Sequence, residues 1–330
     1  MSIPTVESNT AAFASDPGRR RSMRAVSSVL AIALAIAAGV AGASAQREKQ
    51  DASLFRGRTD LVSVGVTVVG KKQQFVTDLG ASDFVVYEDD RPQQICAFAS
   101  GTEAGPPLHL GVLLDVSGSQ GLDLKFTQTA VIKFLQSLND AVDVTFIDFA
   151  SDVRGGRYSQ QDFSRLVKRV RGLTAGGETA LYDAIGVYLE AAREQDGRKV
   201  MVLYTDGADT RSTMSLGTLM TQLKTSDVTV YAIGALDQQP LFTQSTLRAL
   251  LASIAETAGG KAFFPSGVKD LTRIYDEIRG EVRGQYTIGY VSTNDQTDGA
   301  WRKVEVKITR ADAGSLRVRA RKGYYAPSKP

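Results

Sequence analysis

Five oxygen-bearing residues stand where chemistry could be done. Asp115, Ser117 and Ser119 follow directly on the apolar run Leu110-Gly-Val-Leu-Leu114, in the order Asp-Val-Ser-Gly-Ser. Thr179 stands in Ala175-Gly-Gly-Glu-Thr-Ala-Leu-Tyr-Asp183, and Asp206 in Tyr204-Thr-Asp-Gly207. Carboxylates and hydroxyls are hard oxygen donors, the kind that Mg²⁺ prefers. The bland reading of Asp115 and Ser117 is that they cap the next helix, as both residue types often do. The stretch around Asp115 leaves the two readings open; the other elements have to bring Thr179 and Asp206 to it.

Those elements are legible as periodicities. Residues 108–114 and 200–204 are continuous apolar runs, which is how strands buried on both faces of a parallel sheet read. Residues 142–149 and 228–233 are further strands, and 262–264 a short edge strand. Between them, apolar residues recur at helical spacing over about 122–138, 163–170, 180–193, 214–224, 246–258 and 269–283. Alternation of strands and helices with short connections predicts a doubly wound, mostly parallel α/β sheet of Rossmann-like type. In such a sheet the loops after the strands open on one crevice. Asp115, Ser117, Ser119 and Asp206 leave the carboxyl ends of neighbouring strands there, and Thr179 can meet them. Glycines 176, 177 and 207 would let the backbone approach an ion closely.

On either side of this core the period changes to two. Residues 59–69, 83–88 and 93–99 alternate as strands, with Asp89-Asp90-Arg91-Pro92 as a turn. Residues 285–291, 302–309 and 315–320 do the same at the other end. Neither flank is large enough to bury a convincing core alone. They are expected to pack together as one β-sandwich-like module. The expected organisation is a leader and signal peptide at 1–45, an N-terminal β segment at 46–105, the α/β domain at 106–283 and a C-terminal β segment at 284–330.

Composition sets outer limits. The chain has 330 residues, 43% apolar and 23% charged, and a net charge of +3. These are the values of a globular protein, and the spread of Arg and Lys argues for no nucleic-acid partner. One cysteine and one histidine exclude an intrachain disulfide and a Cys/His zinc cluster. Cys96 reads as a small buried hydrophobe and His109 as a packing residue. Arg19-Arg-Arg-Ser-Met-Arg24 precedes an apolar run from Ala25 to about Ala43, which closes on Ala43-Ser44-Ala45. That is the layout of a secretory signal peptide cleaved after Ala45, with Met23 as a possible true start. The expected location is therefore secreted or periplasmic. An uncleaved signal anchor, the one route to a membrane, is the competing reading.

The three segments Asp115-Val-Ser-Gly-Ser119, Gly-Gly-x-Thr179-x-Leu-Tyr-Asp and Thr205-Asp206-Gly207 resemble the metal-ion-dependent adhesion site of von Willebrand factor type A domains. The resemblance covers about residues 106–283, with the segments in order. Asp-Phe-Val-Val-Tyr-Glu-Asp at 83–89 and Arg-Lys-Gly-Tyr-Tyr-Ala at 321–326 further resemble bacterial secreted proteins with a related domain. The resemblance implies that the Ser117 and Ser119 hydroxyls bind the metal directly and Thr179 directly or through water. Asp115 and Asp206 would do so directly or through ordered waters. It assigns no ligand role to Asp183, which is expected to cap or complement its helix.

Two carboxylates just balance a divalent ion, and an octahedron left unfilled favours an incoming anion. The partner implied is a protein offering an Asp or Glu carboxylate, with Mg²⁺ expected and Mn²⁺ or Ca²⁺ able to substitute. Loops 151–162, 208–217 and 236–244 are expected to shape specificity. The chain is not expected to be an enzyme. Gly118-Ser119-Gln120-Gly121 does not make a Gly-x-Ser-x-Gly elbow, His109 precedes the serines, and no Gly-x₄-Gly-Lys-Ser/Thr loop occurs. A metal-stabilised structural or assembly role in the cell envelope is the alternative, and a metal-assisted hydrolase a more remote one.

Overall fold

The structure is a computed structural model that describes residues 61–71, 74–101, 105–121, 123–237 and 239–328. The expected signal peptide lies outside the described residues. Among the described residues, no helix is long and apolar enough to cross a membrane.

The chain opens with β1 (Leu61–Val69), β2 (Phe84–Glu88), β3 (Arg91–Gln93) and β4 (Ile95–Ala99). The α/β part follows as β5 (Leu108–Asp115), α1 (Leu124–Ser137), β6 (Asp143–Phe149), β7 (Val153–Ser159), α2 (Phe163–Arg171) and α3 (Leu181–Ala192). It continues through β8 (Arg198–Thr205), α4 (Leu216–Thr225), β9 (Val228–Gly234), α5 (Leu241–Thr257), β10 (Lys261–Phe263) and α6 (Leu271–Gly284). Strands β11 (Tyr286–Val291), β12 (Trp301–Ile308), β13 (Arg317–Ala320) and β14 (Gly323–Tyr325) close the chain.

The central sheet has six strands in the order β10-β9-β8-β5-β6-β7. Its pairings are parallel except that of β6 with β7. Alternate side chains go to opposite faces. Leu110, Val112 and Leu114 pack with α1, α2 and α6, while Leu113, Met201 and Leu203 pack with α3, α4 and α5. Gly111 has a steric reason to be glycine. A Cβ there would lie 2.2 Å from the ring of Tyr188, a buried residue of α3.

Helices on both faces also fix where ligands can gather. The chain leaves β5 for α1 on one face and β8 for α4 on the other, although β5 and β8 are hydrogen-bonded neighbours. This divergence opens a crevice at the carboxyl ends of the two strands. Asp115 and Asp206 emerge on either side of it.

The flanking strands form two four-stranded antiparallel sheets, β13-β1-β11-β4 and β14-β12-β2-β3. Val64, Val66, Val86, Tyr286, Ile288, Val304 and their neighbours fill the space between them. Strands from both ends of the chain thus build one sandwich, as the flanks predict. Its link to the α/β part is both covalent and polar. Helix α6 runs into β11 within one residue, and buried Glu281 near the end of α6 is a shared acceptor. Glu281 takes a hydrogen bond from Tyr231 Oη of β9 at 2.9 Å and one from Thr67 Oγ1 of β1 at 3.4 Å, and pairs with Arg319 of β13.

Four departures from the sequence expectations have physical reasons. Residues 93–99 are not one strand: the chain changes sheets at Gln94, so β3 pairs with β2 and β4 with β11. Asp89 and Asp90 both take positive φ, 47° and 64°, which makes the turn before β3 a two-residue hairpin. Part of the expected loop 151–162 is β7, an edge strand whose Val-Arg-Gly-Gly-Arg-Tyr-Ser carries no apolar run. Arginines anchor it instead, Arg154 to Asp148 at 2.8 Å and Arg157 to Asp143. Helix α5 starts at Leu241, not near 246, because its first turn faces solvent and gives no inward stripe.

Two outcomes test this architecture. Gly111→Ala should cost about 3 kcal/mol by overpacking Tyr188, read as a lowered urea midpoint with unchanged slope. Ending the chain after Gly284 removes both neighbours of β1 and bares Val64, Val66 and Val68. The shortened chain should lose cooperative thermal unfolding and soluble yield; a soluble, cooperative product would refute the shared sandwich.

Candidate metal centre

The centre is built on the register between β5 and β8. Leu114 lies opposite Tyr204, so Asp115 and Thr205 come next as side-by-side neighbours. Both are wholly buried. Thr205 Oγ1 donates to Asp115 Oδ2 at 2.6 Å, and the Ser117 amide donates to Asp115 Oδ1 at 2.9 Å. Each carboxylate oxygen therefore has a donor and a fixed direction.

From there the donors chain outward. Ser117 Oγ is 3.2 Å from Ser119 Oγ, and Ser119 Oγ donates to Asp206 Oδ2 at 2.6 Å. Asp206 Oδ1 accepts from the Ala208 amide at 3.1 Å. Ser119 is exposed, while Ser117 and Asp206 are buried. The group is thus a small oxygen patch with its back in the core and its front in solvent. Burial is the largest influence on Asp115 and pushes its carboxyl up to about 6, against the hydrogen bonds from Ser117 and Thr205.

Thr179 arrives on a separate loop, which backbone bonds tie to both sides of the centre. The Gly118 amide donates to Gly177 O at 3.0 Å, and the Gly176 amide to Val116 O at 2.9 Å. On the other side, Thr179 O accepts from the amides of Thr210 and Arg211, while its own amide donates to Thr210 Oγ1 at 2.9 Å. Gly177 has φ +85°, and a Cβ there would meet Ser151 Oγ at 2.7 Å, so this approach requires glycine. Direct side-chain bonds connect Ser117, Ser119 and Asp206; Asp115 joins through Thr205 and the Ser117 amide, and Thr179 through its loop.

Two residues at the centre have roles that the sequence does not give them. Thr205 orients Asp115; the sequence signals it only as a hydroxyl at the end of a buried strand and as the residue before Asp206 in its segment. Gln239, from the loop before α5, donates Nε2 to Asp206 Oδ2 at 3.0 Å. Gln239 falls in the loop 236–244 expected to shape specificity, but nothing in the sequence marks it as a partner of Asp206. Asp183 is in the first turn of α3, but its carboxylate braces the 212–214 loop, accepting from the Thr213 and Met214 amides at 2.9 Å each. It is Asp209 Oδ1 that receives an amide of that helix end, from Tyr182 at 3.3 Å.

The donor set fits a small hard cation. Metal–oxygen distances of 2.0–2.1 Å in an octahedron put adjacent oxygens about 2.9 Å apart, and the observed 3.2 and 2.6 Å bracket that spacing. A hydroxyl donating to a carboxylate keeps its lone pairs for a cation. Among the described residues, no three His, Cys, Asp or Glu side chains converge, so a cation here would lean on hydroxyls.

The raised Asp115 pKa carries a sign. The ordinary value is 3.8 and the folded one about 6, so the native state binds the proton more tightly than the unfolded chain. In chelator, this group's contribution should fall by about 3 kcal/mol as pH rises from about 4 to above 6. Urea midpoints across that range should show the slope, and Asp115→Asn should flatten it.

Comparisons with known proteins bear on the family of the chain. The von Willebrand factor type A domain profile matches residues 109–277, just over half of the chain. Among curated proteins there is no match. Similar solved structures include a von Willebrand factor type A protein from Catenulispora acidiphila, 13% identical, covering 82% of this chain and 74% of that one, with a TM-score of 0.47. The pilus adhesin SpaC from Lactobacillus rhamnosus GG is 11% identical over 78% of this chain and 49% of its own, with a TM-score of 0.48. The von Willebrand factor domain of the type V pili tip protein Mfa5 from Porphyromonas gingivalis is 12% identical over 58% and 98%, with a TM-score of 0.44. The profile match, spanning the sheet and all three loops of the centre, places the chain in the von Willebrand factor type A domain family.

Proposed function

We propose that the chain is an extracytoplasmic, metal-dependent protein-binding module of the adhesion or complex-assembly kind. A divalent cation, Mg²⁺ or in its place Mn²⁺ or Ca²⁺, is held by Ser117, Ser119, Thr179, Asp115 and Asp206. It accepts an Asp or Glu carboxylate from the partner. The observation that carries this reading is the contact chain Ser117 Oγ, Ser119 Oγ, Asp206 Oδ2, with its oxygens at cation spacing and its front open to solvent. The extracytoplasmic location rests on the leader at residues 1–45.

The ion supplies a positive charge that a carboxylate can ligate directly; the chain's residues hold and aim it. Asp115 is oriented by Thr205 and Ser117, which leaves each of its carboxylate oxygens a further lone pair. Asp206 Oδ2 is shared between Ser119 and Gln239, which fixes the carboxylate but limits how much charge it gives to the ion. With two carboxylates only, the ion's charge is balanced and its acidity toward an incoming anion is kept.

Catalysis has poor support from the same residues. The one histidine, His109, is at the amino end of β5, roughly 20 Å along the strand from Asp115. Its ring is engaged, Nδ1 with Asp143 at 3.1 Å and Nε2 with Asp196 O at 3.0 Å. The carboxylate bonded to Ser119, that of Asp206, also accepts from Gln239 Nε2 and the Ala208 amide and belongs to the proposed cation set.

Calorimetric titration of Mg²⁺ into chelator-treated protein should give one site, and saturation at a hundredfold excess over Kd should stabilise the fold by about 2.7 kcal/mol. Ser119→Ala and Asp206→Ala should each abolish both effects while folding normally in chelator. Undiminished Mg²⁺ stabilisation in both variants would remove the ion from this site.

A further inference from the structure

Leu241 and Phe242 are the most exposed large apolar side chains among the described residues, at 85% and 91%. They begin α5, directly after Pro240. The helix has no need of them for packing, since Leu247, Leu251, Ile254 and Ala255 make its buried side. Two such neighbours facing water are unusual on a surface that binds nothing.

Their position is set by the candidate metal centre. Gln239, two residues before Leu241, bonds to Asp206 Oδ2 at 3.0 Å, and Gln244 in the first turn of α5 donates Nε2 to Gln239 O at 2.9 Å. The apolar pair is thereby tethered to one of the centre's carboxylates. Phe126, 65% exposed, stands in the first turn of α1, the helix that follows Ser119.

Acidic groups outnumber basic ones in the surrounding loops, Asp123, Asp237, Glu178 and Asp209 against Lys125 and Arg211. Asp123 directly precedes α1, and Asp237 lies in the loop that leads to Pro240 and α5. On the Thr179 side stand Glu178 and Asp209, and Arg211 there is 3.8 Å from Glu178. A bound divalent ion would neutralise Asp115 and Asp206 but leave this rim with a net negative charge.

We infer that the partner of this centre is a protein segment in which the anchoring Asp or Glu has a bulky aliphatic or aromatic neighbour and flanking lysines or arginines. The inference rests on the metal-dependent reading of the centre and narrows it. A lone carboxylate would be recognised on any acidic surface. Leu241 and Phe242 add a desolvated contact that only an apolar neighbour can use. The acidic rim disfavours a second acidic residue and draws in basic ones.

The test is selection of random peptides displayed on phage against the full chain in Mg²⁺, with elution by chelator, run in parallel on Leu241→Ser/Phe242→Ser. Calorimetry should show the double variant binding Mg²⁺ like the parent. Peptides eluted from the parent should combine Asp or Glu with Leu, Ile, Phe or Trp within two positions, and with Lys or Arg. The best of them, synthesised, should bind the double variant at least about tenfold more weakly. Acidic peptides without apolar enrichment, or equal affinity for parent and variant, would overturn this inference alone. An eluted pool lacking acidic residues, or no eluted pool despite Mg²⁺ binding, would overturn the reading of the centre as well.

Discussion

A carboxylate at the end of a strand covered on both faces must be oriented by its neighbours, and the rest of the centre follows from how that is done. Asp115 accepts from Thr205 across the β5–β8 pairing and from the Ser117 amide along its own chain. The first bond exists because parallel register sets residue 115 beside residue 205. The second bends the chain sharply after the strand, which delivers Ser117 and Ser119 to the mouth of the crevice. Burial would otherwise drive this group to take up a proton. Two donors, both neutral, hold the position without cancelling the charge a cation needs.

The crevice itself is a consequence of connectivity. Because α1 and α4 cover opposite faces, the two central strands end with open space between their loops. Three loops fill that space and are tied to one another by backbone bonds between 116–118, 176–177, 179 and 210–211. Main-chain ties of this kind make loop position insensitive to surface side chains. The apolar residues that project from the rim are therefore free to vary in type without disturbing the oxygen patch beneath them. This separation suits a site where one contact is general and the surrounding surface is selective.

The sandwich solves a different problem. Strands β1–β4 and β11–β14 each present one apolar face, and neither set has enough strands to cover it. Joining them buries Val64, Phe84, Tyr286 and Val304 in one layer. The same union carries the end of α6 into the interface, where buried Glu281 meets groups from the central sheet and from β1 and β13. A buried carboxylate with several donors favours one arrangement of its neighbours strongly, since any donor withdrawn leaves charge unsatisfied. The α/β part and the sandwich are thus coupled by more than a linker.

Much of this was legible in the chain. Buried parallel strands announce themselves by continuous apolar runs, as at Leu110 and Val200, and helices by their stripes. Asp115, Ser117 and Ser119 are adjacent in sequence, so their grouping needed only the strand before them. The chain's own order also told that two β-rich flanks had to share a core. What tertiary structure alone decided was local context at edges and surfaces. Strand β7 carries no apolar signal because its single neighbour and its arginine anchors do the work of burial. The start of α5 is silent because its apolar residues face water. Thr205 lies 90 residues from Asp115, and Gln239 lies 33 residues from Asp206; only strand register and loop docking bring them in. Periodicity reports what a residue buries; it carries no information on which distant side chain will be standing beside it.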